Sequence, residues 1–126
     1  MYGYKRISDL PYEQTVEKVK DELQKEGFGV LTEIDVKATM KKKLGEDIDA
    51  YIILGACNPP NALKALKAEQ DIGLMLPCNV IVYEKEGKTY VSAVKPTVAM
   101  GMIENDALKD IALDIESKLK KAIDGV

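Results

Sequence analysis

The chain has no histidine and no tryptophan, only one phenylalanine and only two cysteines. Without histidine it lacks the commonest general base, every Ser-His or Cys-His nucleophile pair and the usual imidazole metal ligand. Any chemistry falls to Cys, carboxylates, Lys or Tyr, and the reading leans away from an enzyme. A platform for stacking bases would rest on six tyrosines. Neither sign of charge is in large excess: 18 basic residues stand against 21 acidic ones, a net charge of −3. The single basic run, Lys41-Lys42-Lys43, is followed closely by Glu46, Asp47 and Asp49. Phosphate neutralisation dominates nucleic-acid binding, so no nucleic-acid partner is expected. No window reaches the roughly eighteen apolar residues of a membrane span, so no membrane partner is expected either. The start, "MYGYKRISDL", lacks the apolar stretch of a secretory signal. The expected compartment is cytoplasmic, where thiols stay reduced, and a Cys57–Cys78 disulfide is not the first expectation. There is no GxxxxGK[ST] loop, no GxGxxG and no CxxC, so nucleotide binding and thioredoxin-like exchange lose their usual support.

What is present suits one domain with one core, over residues 1–126: 46% of residues are apolar and 31% charged. Residues 2–7 read as a first strand. "SDLP" reads as a helix start with Ser8 or Asp9 near the cap and Pro11 in the first turn. Tyr12, Val16, Val19 and Leu23 give that helix one apolar face, and Gly27 should end it. In 30–36 alternation predicts a strand with Val30, Thr32, Ile34 and Val36 on one face and Leu31, Glu33 and Asp35 on the other. "KATMKKKLG" reads as a short helix ending at Gly45. "AYIILGA", 50–56, is apolar throughout, as a strand covered on both faces would be. A helix starts at Asn58. Residues 79–84 and 89–94 form a hairpin across "KEGK". A last helix over about 104–123 turns Leu108, Ile111, Ala112, Ile115, Leu119 and Ile123 inward, with Asp114–Lys118 and Glu116–Lys120 paired outside. The fold class expected is α+β, a mostly antiparallel sheet of about five strands with helices packed on it. The runner-up is α/β, because strand and helix alternate in the middle of the chain.

The two cysteines stand in "GACNPP" and "LPCN". Asn58 precedes a proline, which pushes it toward the extended backbone that an N-cap needs, and Pro59 suits the first helical position. Pro59 and Pro60 remove two donors of the first turn and Asn58 engages the next, on Asn61, so the helix start is a poor anion site. Cys57 and Cys78 each have a plain reading as small buried residues. If their strands are antiparallel neighbours, the thiols lie at one end of the sheet; if parallel, at opposite ends. Candidate ligand-binding residues are therefore Cys57, Asn58 and Cys78, with Glu33 and Asp35 as a second pair. These two acids lie roughly 7 Å apart on one strand face and could hold a cation or act as acid and base. A solvated strand edge, or pairing with Lys37 and Lys41, accounts for them more simply. Met100 and Met102 flank a glycine; with Cys57 and Cys78 they would make a soft-metal set, though methionines more often fill gaps in cores. No cofactor is expected, with a metal ion at those four residues as the remote alternative.

The strings "EGFGVLTEIDVKATMKKKLG", "YIILGACNPPNALKAL" and "GLMLPCNVIVYE" resemble the prokaryotic domain of unknown function 302 family, and the resemblance runs over essentially the whole chain. It implies a compact α+β domain with a curved, TBP-like antiparallel sheet, often paired as a homodimer. The family pattern falls on Gly29, Glu33, Asp35, Gly55, Asn58, Pro59, Leu76, Pro77 and Val80. Many wider relatives carry a histidine near "EID" and lack the cysteine of "GACNP"; this chain departs at both places. The family brings no established reaction. The function expected is a non-catalytic homodimer that binds a small ligand or acts as an accessory protein. The alternative is thiol chemistry (redox, sulfur transfer or soft-metal binding) through Cys57 and Cys78.

Overall fold

The computed structural model describes residues 1–126. The element order is β1 (Gly3–Ser8), α1 (Tyr12–Lys25), β2 (Gly29–Asp35), α2 (Val36–Leu44), β3 (Tyr51–Cys57), α3 (Pro59–Ala68), a 3₁₀ segment (Gln70–Met75), β4 (Cys78–Lys85), β5 (Lys88–Val94), α4 (Pro96–Ala99) and α5 (Ala107–Asp124). The five strands make one sheet in the order β1-β5-β4-β3-β2, and every neighbouring pair is antiparallel. This is the α+β class; the α/β alternative fails because the helical crossing between β3 and β4 returns the chain in the opposite direction.

One face of the sheet builds the core. Leu54, Ala56, Val80, Val82, Val91 and Ala93 project toward Val16, Val19 and Leu23 of α1 and Ile115, Leu119 and Ile123 of α5. Burying one such side chain contributes about 1.5–3 kcal/mol, which is what holds both long helices on this face. The opposite face has no helix layer. Tyr51, Tyr83 and Tyr90 form a cross-strand ladder there, with ring centroids 5.4 and 5.2 Å apart. Lys5 Nζ stands 5.7 Å from the centres of the Tyr83 and Tyr90 rings. The apolar run 50–56 therefore does not mark a strand covered on both faces. Tyr51 and Ile53 are only half-buried, shielded by neighbours in the sheet rather than by a second layer.

The start of α1 also differs from the sequence expectation. Its N-cap is Pro11, not Ser8 or Asp9. Ser8 Oγ instead accepts the Leu10 N–H at 3.1 Å and shares a hydrogen bond with Thr15 Oγ1 at 2.8 Å. The other end follows the glycine signal. Gly27 has φ +83°, its N–H donates to Gln24, and the Phe28 N–H reaches back to Leu23 at 3.0 Å, with both side chains in the core. That is a Schellman stop with its apolar contact.

Strand β2 carries a bulge. Val30 pairs with Ala56 and Thr32 with Gly55, so Leu31 is the extra residue. An inserted residue breaks the period of two. Val30 accordingly shares the helix face with Glu33 and Asp35, while Thr32 and Ile34 take the open face; the single alternating pattern expected over 30–36 does not hold. Val36 begins α2 instead of ending the strand. The hairpin between β4 and β5 turns on Glu86 and Gly87, both with positive φ. Helix α4 and the 3₁₀ segment carry no long apolar period, and the sequence reading missed both.

Candidate functional site

The sheet end where β3 stops and β4 begins brings the two cysteines together. Cys78 lies directly opposite Ala56, so Cys57 is one position further along the adjacent antiparallel strand. Both thiols are free, Cys78 buried and Cys57 half-buried, and both line one cavity of about 320 Å³. Phe28, Pro77, Leu66 of α3 and Ile115 of α5 are among the apolar residues of its wall. The Leu76–Pro77 peptide, just before Cys78, is cis.

The local sequence explains why the chain turns here. Asn58 is the N-cap of α3: its side-chain oxygen accepts the Asn61 N–H at 3.3 Å, and Pro59 and Pro60 follow at the first two helical positions. Its side-chain nitrogen donates to the Glu26 carbonyl at 3.4 Å, the C-cap of α1. Asn61 in turn donates to Asp114 of α5 at 2.8 Å. Two buried asparagines thus join α1, α3 and α5 around the cavity. The Asn61 hydrogen bond, and after it Lys118, holds the Asp114 carboxyl below its ordinary pKa.

Gly55 sits beside the cavity on the open face. A Cβ added there would overlap Thr32 Oγ1 and come within 2.8 Å of Pro77 Cγ. Only glycine permits that approach. Burial pushes the Cys78 thiol up to about 11, and the neighbouring Cys57 adds to the shift. At neutral pH Cys78 is therefore an uncharged thiol, a poor nucleophile and a poor metal ligand without an incoming cation to displace its proton.

The other candidates are elsewhere. Glu33 pairs with Lys20 of α1 at 3.1 Å, not with Lys37 or Lys41. Asp35 caps α2, accepting the Ala38 N–H at 2.9 Å. Met100 is buried with Ile72 and Leu108 in a separate cluster, beside a second cavity of about 260 Å³, and Met102 is exposed. Neither methionine lines the thiol cavity, so the four-residue soft-metal set is not assembled, and no group of three or more Cys, Asp or Glu side chains is placed to hold a metal ion. Glu116, expected outside on α5, is buried: it accepts the Thr97 N–H at 3.1 Å and its hydroxyl at 2.6 Å, anchoring α4. Burial alone would raise its pKa, but the two Thr97 bonds and Lys120 outweigh it and hold the carboxyl below the ordinary value. Sequence reading missed Phe28, Thr32, Leu66 and Ile115 as cavity residues. The solitary phenylalanine in "EGFG" was the only visible signal among them, because the other three belong to ordinary periodic patterns.

Fold and site together define a small α+β domain: one antiparallel sheet, helices on one face, and an apolar, thiol-lined cavity at the sheet end. The family model of "Domain of unknown function DUF302" matches residues 4–126, and the chain belongs to that family. It is also similar to a crystal structure of an uncharacterized conserved protein of the family from Bacillus stearothermophilus. That similarity is 36% identity over 98% of this chain and 97% of the other, with a TM-score of 0.93. No curated protein matches the chain. No helix is long and apolar enough to cross a membrane.

Proposed function

We propose that this protein is a non-catalytic small-molecule-binding domain, and that its ligand occupies the cavity beside Cys57 and Cys78. The observation that carries this reading is the cavity itself: about 320 Å³, mostly apolar, with Cys57, Asn58 and Cys78 in its wall. Such a concavity with few polar groups is the usual form of a ligand pocket. In this reading Asn58 holds the wall rather than the ligand, because both ends of its amide are engaged. Glu33 and Asp35 serve α1 and α2 and take no part. The domain acts as a homodimer, and the tyrosine ladder on the helix-free face, with its large half-buried rings, supports that assembly. Light scattering tests it: a monomer mass at every concentration would remove the dimer.

The thiol-based alternative draws on the same cavity. The raised pKa of Cys78 counts against it, since redox and transfer chemistry start from a thiolate. A thermal-shift screen against metabolite classes, run on the wild type and on Leu66→Trp, tests the binding reading. Leu66 is an exposed residue on the cavity rim, so the indole fills the cavity without disturbing the core. Stabilisation of the wild type that Leu66→Trp loses is the expected result. Stabilisation by no class, together with measurable turnover of any substrate, would overturn it.

A further inference from the structure

The walls of the thiol cavity limit what can bind there. Apart from the two thiols, no ionisable side chain lines it. Several backbone donors around it are committed. Phe28 N–H bonds Leu23, Asn61 N–H bonds the Asn58 side chain, Ala62 N–H bonds the Asn58 carbonyl and Leu76 N–H bonds Gly73. Pro77 has no N–H to offer. The start of α3, which in another sequence could receive an anion, presents two prolines.

We infer that the ligand is uncharged and largely hydrocarbon, with about ten non-hydrogen atoms and at most one polar group, which meets the Thr32 hydroxyl. The inference rests on the small-molecule reading above. The size follows from the volume: a water-sized unit takes about 30 Å³, so the cavity holds roughly ten. The charge follows from solvation: an ionised group drawn against Phe28, Ala56 and Ile115 loses its water and finds no countercharge, only a neutral hydroxyl and two thiols. Leu31, pushed out of the strand by the bulge, and Leu66 on α3 are both exposed and extend the apolar surface to the cavity mouth. The half-buried Cys57 reports on occupancy, because a bound molecule blocks reagents from it.

The test compares 1-octanol, octanoate and octylammonium, nearly equal in size and different in charge. Two readouts are followed: the rate of Cys57 alkylation in Cys78→Ala, and the methyl resonances of Leu66 and Ile115 in the wild type. At ten times its Kd, 1-octanol is expected to slow alkylation about tenfold, the factor 1 + [L]/Kd. It is also expected to move both methyl signals; in Leu66→Trp it should neither slow alkylation nor move the Ile115 methyl signal. Octanoate and octylammonium at the same concentration are expected to change neither readout. If either ion binds as well as the alcohol, the ligand class is wrong while the binding reading stands. If none of the three moves a cavity resonance, the cavity is not a binding site and both fall.

Discussion

Gly55→Ala adds a single methyl group at the crossing of three strands. The new carbon would overlap Thr32 Oγ1 from β2 and press on the Pro77 ring from the segment entering β4. Neither neighbour yields easily: Thr32 is β-branched and restricted at χ1, and the proline ring is rigid. Overpacking of this kind costs about 1–3 kcal/mol, and two stiff neighbours place the cost toward the upper end. Replacing glycine inside a strand returns about 0.5–1 kcal/mol of backbone entropy. The net expectation is a loss of about 2 kcal/mol, or about 6–10 °C in Tm for a domain of this size. Urea titration followed by circular dichroism measures it, with an unchanged m-value as the sign that the native state alone is affected. Thr32→Ala in the same background removes the overlapping oxygen and leaves an ordinary 3.5 Å approach to Cβ. A double-mutant cycle should therefore show a favourable coupling of about 1 kcal/mol or more. A Gly55→Ala variant as stable as the wild type would refute the argument that the close strand approach requires glycine here.

The buried thiol makes stability pH-dependent in a predictable direction. Below about pH 9 Cys78 is protonated in both states; from there to about 11 the unfolded chain releases a proton that the native state keeps. Stability falls over that interval by up to about 3 kcal/mol, two pKa units of difference, and Cys78→Ala should lack this component of the alkaline loss. Asn58→Ala removes the cap of α3 and the link to Glu26; unfolding free energy should drop by about 1–2 kcal/mol, and an unchanged value would remove the capping role. Leu119→Ala empties a fully buried site between α5 and the sheet and should cost about 2–5 kcal/mol in denaturant titration. With its depressed carboxyl, Glu116 contributes stability above its unfolded pKa that is lost as pH falls through the folded one. Glu116→Gln should therefore show a shallower acid loss than the wild type.

The elements with strong local signals were legible. Gly27 announced the end of α1, and "NPPN" announced the cap of α3 down to its hydrogen bond on Asn61. The inward face of α5 could be read from its apolar period, apart from Ala122 and Glu116. Glu116 follows the charge pattern of an exposed position, and only the packing of α4 across α5 buries it. The site was half legible. Cys57, Asn58 and Cys78 stood out by residue type, but Glu33, which pairs with Lys20, and Asp35, which caps α2, stood out equally. No single-strand pattern reveals a bulge at Leu31, because the partner strand defines it.

By itself, the sequence determined the class of the domain, the cap of α3, the glycine stop of α1 and the exclusion of histidine chemistry. These depend on residue type and near-neighbour spacing, which the chain carries wherever it folds. The meeting of the two thiols was decided only by tertiary structure. Cys57 and Cys78 are separated by a helix and a 3₁₀ segment, and either strand direction fits their local sequence. The antiparallel return of β4 along β3, set by core burial on one face, puts both sulfurs at one end of the sheet. It also makes Cys78 the buried one and leaves Cys57 at the cavity wall within reach of solvent.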